Sequence, residues 1–192
     1  MGRGVLGKFL AAPPAPDGRR EAVKEPITMK PNIGLGDESR VQIIDTLNTI
    51  LATAHVLYVK TRNYHWNVVG PEFHSLHEMF EQQYTQLAEN IDEIAERVRM
   101  LGGKSLGTMA EFIEKSSISE EAPRVYPPAH DMVVNLVEGH ETVIRYLREQ
   151  IPVIDEDCGD VGTADFLTGL LEQHEKVAWM LRSLVEGKAV NQ

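Results

Sequence analysis

The sequence predicts an all-α protein built as a four-helix bundle, and three observations carry that prediction. Apolar residues recur at steps of three and four along four long stretches, the period of a helix with one buried face. Turn and stop signals separate the stretches, and one connection, in the middle, is much longer than the others. No stretch alternates at the period of a strand, and no short internal repeat is present.

The first long helix opens near Asp37–Ser39, whose side chains suit a helix start. Val41, Ile44, Leu47, Leu51, Ala54 and Tyr58 form its stripe, and the same period leads on to His65. It ends around residues 65–68, before Gly70-Pro71 breaks the chain. The second helix runs from about residue 72 to 101 and stops at Gly102-Gly103. Phe73, Phe80, Leu87, Ile94 and Leu101 fall every seven residues along it, and His77, Tyr84, Ile91 and Val98 form a parallel series. The long connection carries one short helix over about residues 108–115. Pro127-Pro128 opens the third long helix, with Val133, Leu136, His140, Ile144, Leu147 and Ile151 on its stripe. An acidic turn, Asp155-Glu156-Asp157-Cys158-Gly159-Asp160, leads into the fourth, whose stripe is Leu167, Leu170, His174, Val177, Leu181 and Leu184. His140 and His174 lie on apolar stripes and read as core histidines, while His74 and His130 read as surface.

Residues 1–36 differ from the rest. They hold five of the ten prolines and no sustained periodicity, which predicts an extended or flexible N-terminal tail followed by a bundle domain over 37–192. The formal net charge is -10, so the body repels nucleic acid and anionic membranes and attracts cations. The tail is mildly basic, with Arg3, Lys8, Arg19, Arg20, Lys24 and Lys30 against three acidic residues in the first thirty. The single cysteine, Cys158, excludes an intrachain disulfide. No apolar run is long enough to span a bilayer, and the short N-terminal one is broken by Lys8. Together these features predict a soluble cytoplasmic protein with no membrane partner.

Candidate metal ligands concentrate at the end of the first helix and along the second: His65, His77, Glu81, Asp92 and Glu96. Imidazole with carboxylate suits iron or zinc, and open carboxylate-rich sites suit iron that changes oxidation state. A di-iron centre inside one bundle needs Glu-x-x-His on two helices, and none of the seven histidines has Glu three residues before it. On the second helix, His77, Glu81, Asp92 and Glu96 fall within an arc of about 100°. His77 and Asp92 nevertheless lie roughly 22 Å apart along the axis, too far for one ion. Two copies of the helix, antiparallel about a two-fold axis near Gln86, bring His77 of one opposite Asp92 and Glu96 of the other. Thr85 and Ala88 are small enough there to let the helices approach.

The run Tyr64-His65-Trp66-Asn67, Leu76-His77-Glu78-Met79, Ile91-Asp92-Glu93-Ile94-Ala95-Glu96-Arg97 and Leu101-Gly102-Gly103 resembles the mini-ferritins of the ferritin-like superfamily. These are the DNA-binding proteins from starved cells (Dps). Gly162-Thr163-Ala164-Asp165 and Glu175-Lys176-Val177-Ala178-Trp179 extend the resemblance, which covers about residues 37–187. It implies a ferritin-like bundle assembled into a hollow dodecamer in the bacterial cytosol. Two irons would bind at each inter-subunit ferroxidase site, with zinc as a competitor and hydrogen peroxide preferred over dioxygen as oxidant. By position, His65 and His77 of one subunit would act with Asp92 and Glu96 of another, Glu81 would serve a second or bridging iron, and Trp66 would take up stray oxidising equivalents. Asp155, Asp160 and Asp165 are candidates for an acidic three-fold pore through which iron enters.

The resemblance thus implies an Fe(II)-oxidising store that protects the cell and its DNA from oxidative damage. A second reading makes the chain a nucleoid-associated, DNA-compacting protein that binds through the basic tail and oxidises iron only secondarily. A third is a metal-free helical interaction protein.

Overall fold

A computed structural model describes residues 30–186. Four long helices, α1 (Asp37–Asn67), α2 (Phe73–Met100), α4 (Ala129–Pro152) and α5 (Val161–Val185), form the bundle, and the short α3 (Met109–Lys115) lies in the long connection. No strand occurs among the described residues. α1 packs along α2 and α4 along α5, so the bundle is two helical hairpins laid together. The hairpins meet chiefly through α1 and α4, while α2 and α5 touch more sparsely. Residues 1–29 of the tail, with most of its basic side chains, lie outside the described residues. Its last part does not stand away from the body, because Leu35 packs on the core.

The helix limits follow local chemistry. α1 begins one residue after Gly36, and no side chain caps it. Asp37 and Glu38, expected as caps or their neighbours, lie inside the first turn, where negative charge complements the helix dipole. α2 ends as its glycines predict. Gly102 takes φ +84°, Gly102 N donates to Arg99 O and Gly103 N to Val98 O, both at 3.0 Å, which is the Schellman arrangement. A side chain at Gly102 would also strike Pro31. Thr108 and Glu111 form a reciprocal capping box at the start of α3. The acidic stretch after α4 is not a plain turn but a π-helical extension over Val153–Asp157. It closes with Cys158 N donating to Val153 O and Asp160 N to Ile154 O, each at 3.0 Å.

Leu47, Leu51 and Leu57 of α1, Phe80, Leu87 and Ile94 of α2, Leu136 and Leu147 of α4, and Leu167 and Leu181 of α5 meet in one core. The single stripe expected for α1 is incomplete. Val41 is exposed, whereas Ile43, Ile50 and Val56 are buried. α1 contacts α2, α3 and α4, so more than one of its faces is covered.

Tyr64 is wholly buried and donates to Glu121, while Asn135 Nδ2 donates to the Tyr64 hydroxyl at 3.0 Å. Burial, and then the Glu121 carboxylate, push the phenol well above its ordinary pKa, so it stays a donor at any working pH. Tyr64→Phe leaves Glu121 and Asn135 short of a partner. It is expected to lower unfolding free energy by about 1–2 kcal/mol. A denaturant titration showing an unchanged midpoint would mean that this cluster contributes nothing.

Candidate metal centre

His65 sits on the last turn of α1 and His77 near the start of α2, on either side of the Gly70-Pro71 break. The tight connection brings the rings face to face, with centroids 3.8 Å apart and planes 19° apart. Their hydrogen bonds are reciprocal. His65 Nδ1 lies 2.8 Å from His77 O, and His77 Nδ1 lies 2.9 Å from His65 O. A carbonyl only accepts, so each Nδ1 must carry the proton. Each Nε2 is thereby left with its lone pair, the state in which imidazole binds a metal. Each ring fixes the tautomer of the other through the backbone, an orienting device usually supplied by separate residues.

The wall around the pair is aromatic. Tyr84 meets the His65 ring edge-on at 5.2 Å, and Phe73 leans on His77 at 5.1 Å. Arg62 lies over the rings of Trp66, Tyr58 and Tyr84, at 4.9 Å from the Trp66 centroid, and donates to the Tyr58 hydroxyl at 2.7 Å. Trp66, beside the histidines in sequence, is 63% exposed and held by that guanidinium. Sequence reasoning treated Tyr84 as packing alone and did not single out Arg62. The helical spacing of Arg62 to Tyr58 and Trp66, four residues each way, was the available signal.

The carboxylates stand elsewhere. Glu81, Asp92 and Glu96 are exposed on α2. Among the described residues no group of three or more His, Cys, Asp or Glu side chains of one chain converges on a point. One chain therefore brings His65 and His77 together but not the whole predicted ligand set. The open face between the two parts is lined by Glu78, Glu81, Gln82, Thr85, Gln86 and Glu89. It contains the point where a two-fold axis would cross.

The three acidic residues considered for a pore do not share one environment. Asp155 and Asp165 are exposed. Asp160 is buried and its carboxylate is already engaged. Oδ1 accepts from Thr163 N at 3.0 Å, capping α5, and from Arg97 Nη2 at 3.1 Å. Burial works against its ionisation, but the Thr163 hydrogen bonds and the Arg97 guanidinium outweigh it and hold the carboxyl below its usual range.

A bundle of this topology with a histidine pair beside an acid-bearing helix defines a class, and the comparisons agree with it. The ferritin-like domain family matches residues 44–188, and the chain belongs to that family. Within it, the chain is a Dps mini-ferritin. It is 41% identical over 144 residues to DNA protection during starvation protein 2 of Bacillus anthracis, covering 75% of this chain and 97% of that one. It is 52% identical over 159 residues to an uncharacterized low temperature-induced protein of Nostoc, covering 83% and 88% of the two chains. Among solved structures, the Dps protein of Vibrio cholerae superposes with a TM-score of 0.76 at 30% identity, covering 82% of this chain and 98% of that one. That protein is described as a member of a superfamily of ferritin-like diiron-carboxylate proteins. No helix among the described residues is long and apolar enough to cross a membrane.

Proposed function

We propose that the chain is an inter-subunit ferroxidase: it oxidises Fe(II) at sites shared between two subunits and stores the ferric mineral inside a hollow dodecamer. The observation that carries it is the reciprocal Nδ1–carbonyl pairing of His65 and His77, which presents two metal-ready Nε2 atoms at one end of α2. The carboxylates that such a site needs stand at the other end of the same helix.

Antiparallel α2 helices place Asp92 and Glu96 of the partner subunit against this histidine pair, and Glu81 is near enough in sequence to serve a second or bridging iron. Iron is the substrate. Carboxylate oxygens favour Fe(III) over Fe(II), so binding there assists electron loss. Two Fe(II) ions supply one electron each to a hydrogen peroxide molecule, whose O–O bond breaks to leave two hydroxides. Pairing the electrons avoids release of hydroxyl radical, and Trp66 is placed to absorb a stray oxidising equivalent. An acidic shell draws cations inward, and Asp155 and Asp165 have the exposure that a pore lining requires. Removing Fe(II) and peroxide together would protect DNA, the role named in the Bacillus anthracis relative.

The test is anaerobic Fe(II) loading followed by one addition of peroxide, read as ferric absorbance. The native chain is expected to oxidise the iron rapidly and to carry it at shell size on gel filtration. His65→Ala/His77→Ala should be slower by on the order of 100-fold, since even loss of groups that only orient ligands costs 10–100-fold. Equal rates in both proteins would remove the ferroxidase reading. Direct DNA binding would rest on the basic residues of the tail. It predicts a gel shift that is lost on deleting residues 1–30 and weakens steeply with salt.

A further inference from the structure

We propose that Tyr84 is an electron donor to the metal centre: where a site holds a single Fe(II), the Tyr84 phenol supplies the second electron that hydrogen peroxide needs. The inference rests on the ferroxidase reading and deepens it. It puts Tyr84 ahead of Trp66 as the first ring to be oxidised. In the sequence Tyr84 is one member of a packing series on α2, and the structure gives it a different setting.

Among the described residues, two aromatic rings meet the histidine pair. Tyr84 stands edge-on to His65 at 5.2 Å, and Phe73 is tilted on His77 at 5.1 Å. Electron transfer weakens steeply with distance, so a ring touching a ligand is oxidised before a more remote one. Phe73 has no ionisable proton and is hard to oxidise. Tyr84 carries a hydroxyl, which donates to Glu81 Oε1 at 3.4 Å. Trp66 is exposed, with its face against Arg62. The same guanidinium lies 5.7 Å from the ring centroids of both Tyr84 and Tyr58. A cation held over a ring face is attracted by its electron density, and a positively charged ring would repel it. Tyr84 must therefore lose its proton together with its electron, and Glu81 is the acceptor already in place. Tyr58, edge-on to Tyr84 at 6.1 Å, is the next ring in line.

A lone Fe(II) gives peroxide one electron, and the O–O bond then breaks to hydroxide and hydroxyl radical. With Tyr84 as the second donor, Fe(II) gives one electron and the phenol the other. The O–O bond breaks to two hydroxides, and the iron becomes Fe(III). Tyr84 is left as a neutral phenoxyl radical, and its proton passes to the Glu81 carboxylate. Glu81 is the side chain expected to serve a second iron, so it is available as a base in just the state where that iron is missing. An electron from Tyr58, with loss of its own phenol proton to solvent, then restores Tyr84 and moves the radical one ring further from His65.

The test loads the full-length protein anaerobically with less than one Fe(II) per chain, adds peroxide, and freezes samples at short times for electron paramagnetic resonance. A spin trap reports hydroxyl radical in parallel. The native chain is expected to give a protein radical whose spectrum narrows when ring-deuterated tyrosine is incorporated. Tyr84→Phe keeps the ring against His65 but should lose that signal and raise the hydroxyl-radical adduct. Tyr58→Phe/Trp66→Phe should keep the tyrosyl signal and prolong it, because the radical is then held on Tyr84. A signal that survives Tyr84→Phe, or one lost in Trp66→Phe alone, would overturn the proposal. Rates at full iron loading separate the two failures. Equal oxidation by native and His65→Ala/His77→Ala chains would remove the ferroxidase reading and this inference with it. Fast oxidation by the native chain alone, with the radical unaffected by Tyr84→Phe, would remove only the role of Tyr84.

Discussion

Subunits carrying His77→Ala, co-expressed with subunits carrying Asp92→Ala, are expected to recover iron oxidation that neither shell performs alone. The proposed two-fold geometry demands it. On that proposal each interface would hold two sites, each taking its histidines from one chain and its carboxylates from the other. In a mixed pair, one site receives both lesions and the other receives none. Random mixing makes half of the interfaces mixed, so about a quarter of all sites are intact. Each parent shell should oxidise Fe(II) on the order of 100-fold more slowly than the native one. The mixed shell should therefore stand about a quarter as active as native, far above either parent. Activity equal to the mean of the parents would show that histidines and carboxylates act within one chain, or do not act together at all. Differently tagged chains, purified in tandem, remove unmixed shells from the comparison.

That experiment bears on the part of the proposed site that spacing alone suggests. The period of α2 showed that His77 and Asp92 share a face and are too far apart for one ion, and the structure gives one chain only the histidine half. The stops at Gly102 and the break at Gly70-Pro71 were also readable, because each rests on backbone chemistry local to a few residues. Other features were not. Nothing in the one-dimensional pattern says that His65 and His77 lock each other's tautomer through their own carbonyls, since this depends on how the short connection folds back. Val41 was misplaced because a stripe assumes one buried face, while α1 is covered by three helices. His140 and His174 are buried as their apolar stripes predict, but a stripe records burial and not that their Nδ1 atoms face each other at 2.9 Å.

Asp160 shows the same limit and gives the second large effect. In the sequence it is one acid among several in a turn, a candidate for lining a pore. In the structure its carboxylate joins two elements, α2 and α5. It caps α5 through Thr163 N, accepts from the Thr163 hydroxyl at 2.5 Å, and pairs with Arg97 of α2, whose Nε also donates to Thr163 Oγ1 at 2.9 Å. Asp160→Ala removes the cap, worth about 1 kcal/mol. It also leaves a mostly covered guanidinium without its carboxylate, which costs more than an exposed pair but less than a fully buried one. The combined loss is expected to be about 2–3 kcal/mol, seen as a lower midpoint in denaturant at neutral pH. Asp160→Asn, which keeps an acceptor for Thr163 N, should recover the cap part only. The pH dependence has a definite sign. The folded-state pKa of Asp160 is lowered, so its contribution is complete above the ordinary aspartate range and is lost as pH falls through the folded value. The gap between native and Asp160→Ala should therefore close in acid. Because Arg97 follows Glu96, the variant also loosens the turn of α2 that presents the carboxylates, and iron oxidation should slow modestly with binding weakened. A variant as stable as native but slow in taking up iron into the shell would return Asp160 to the pore.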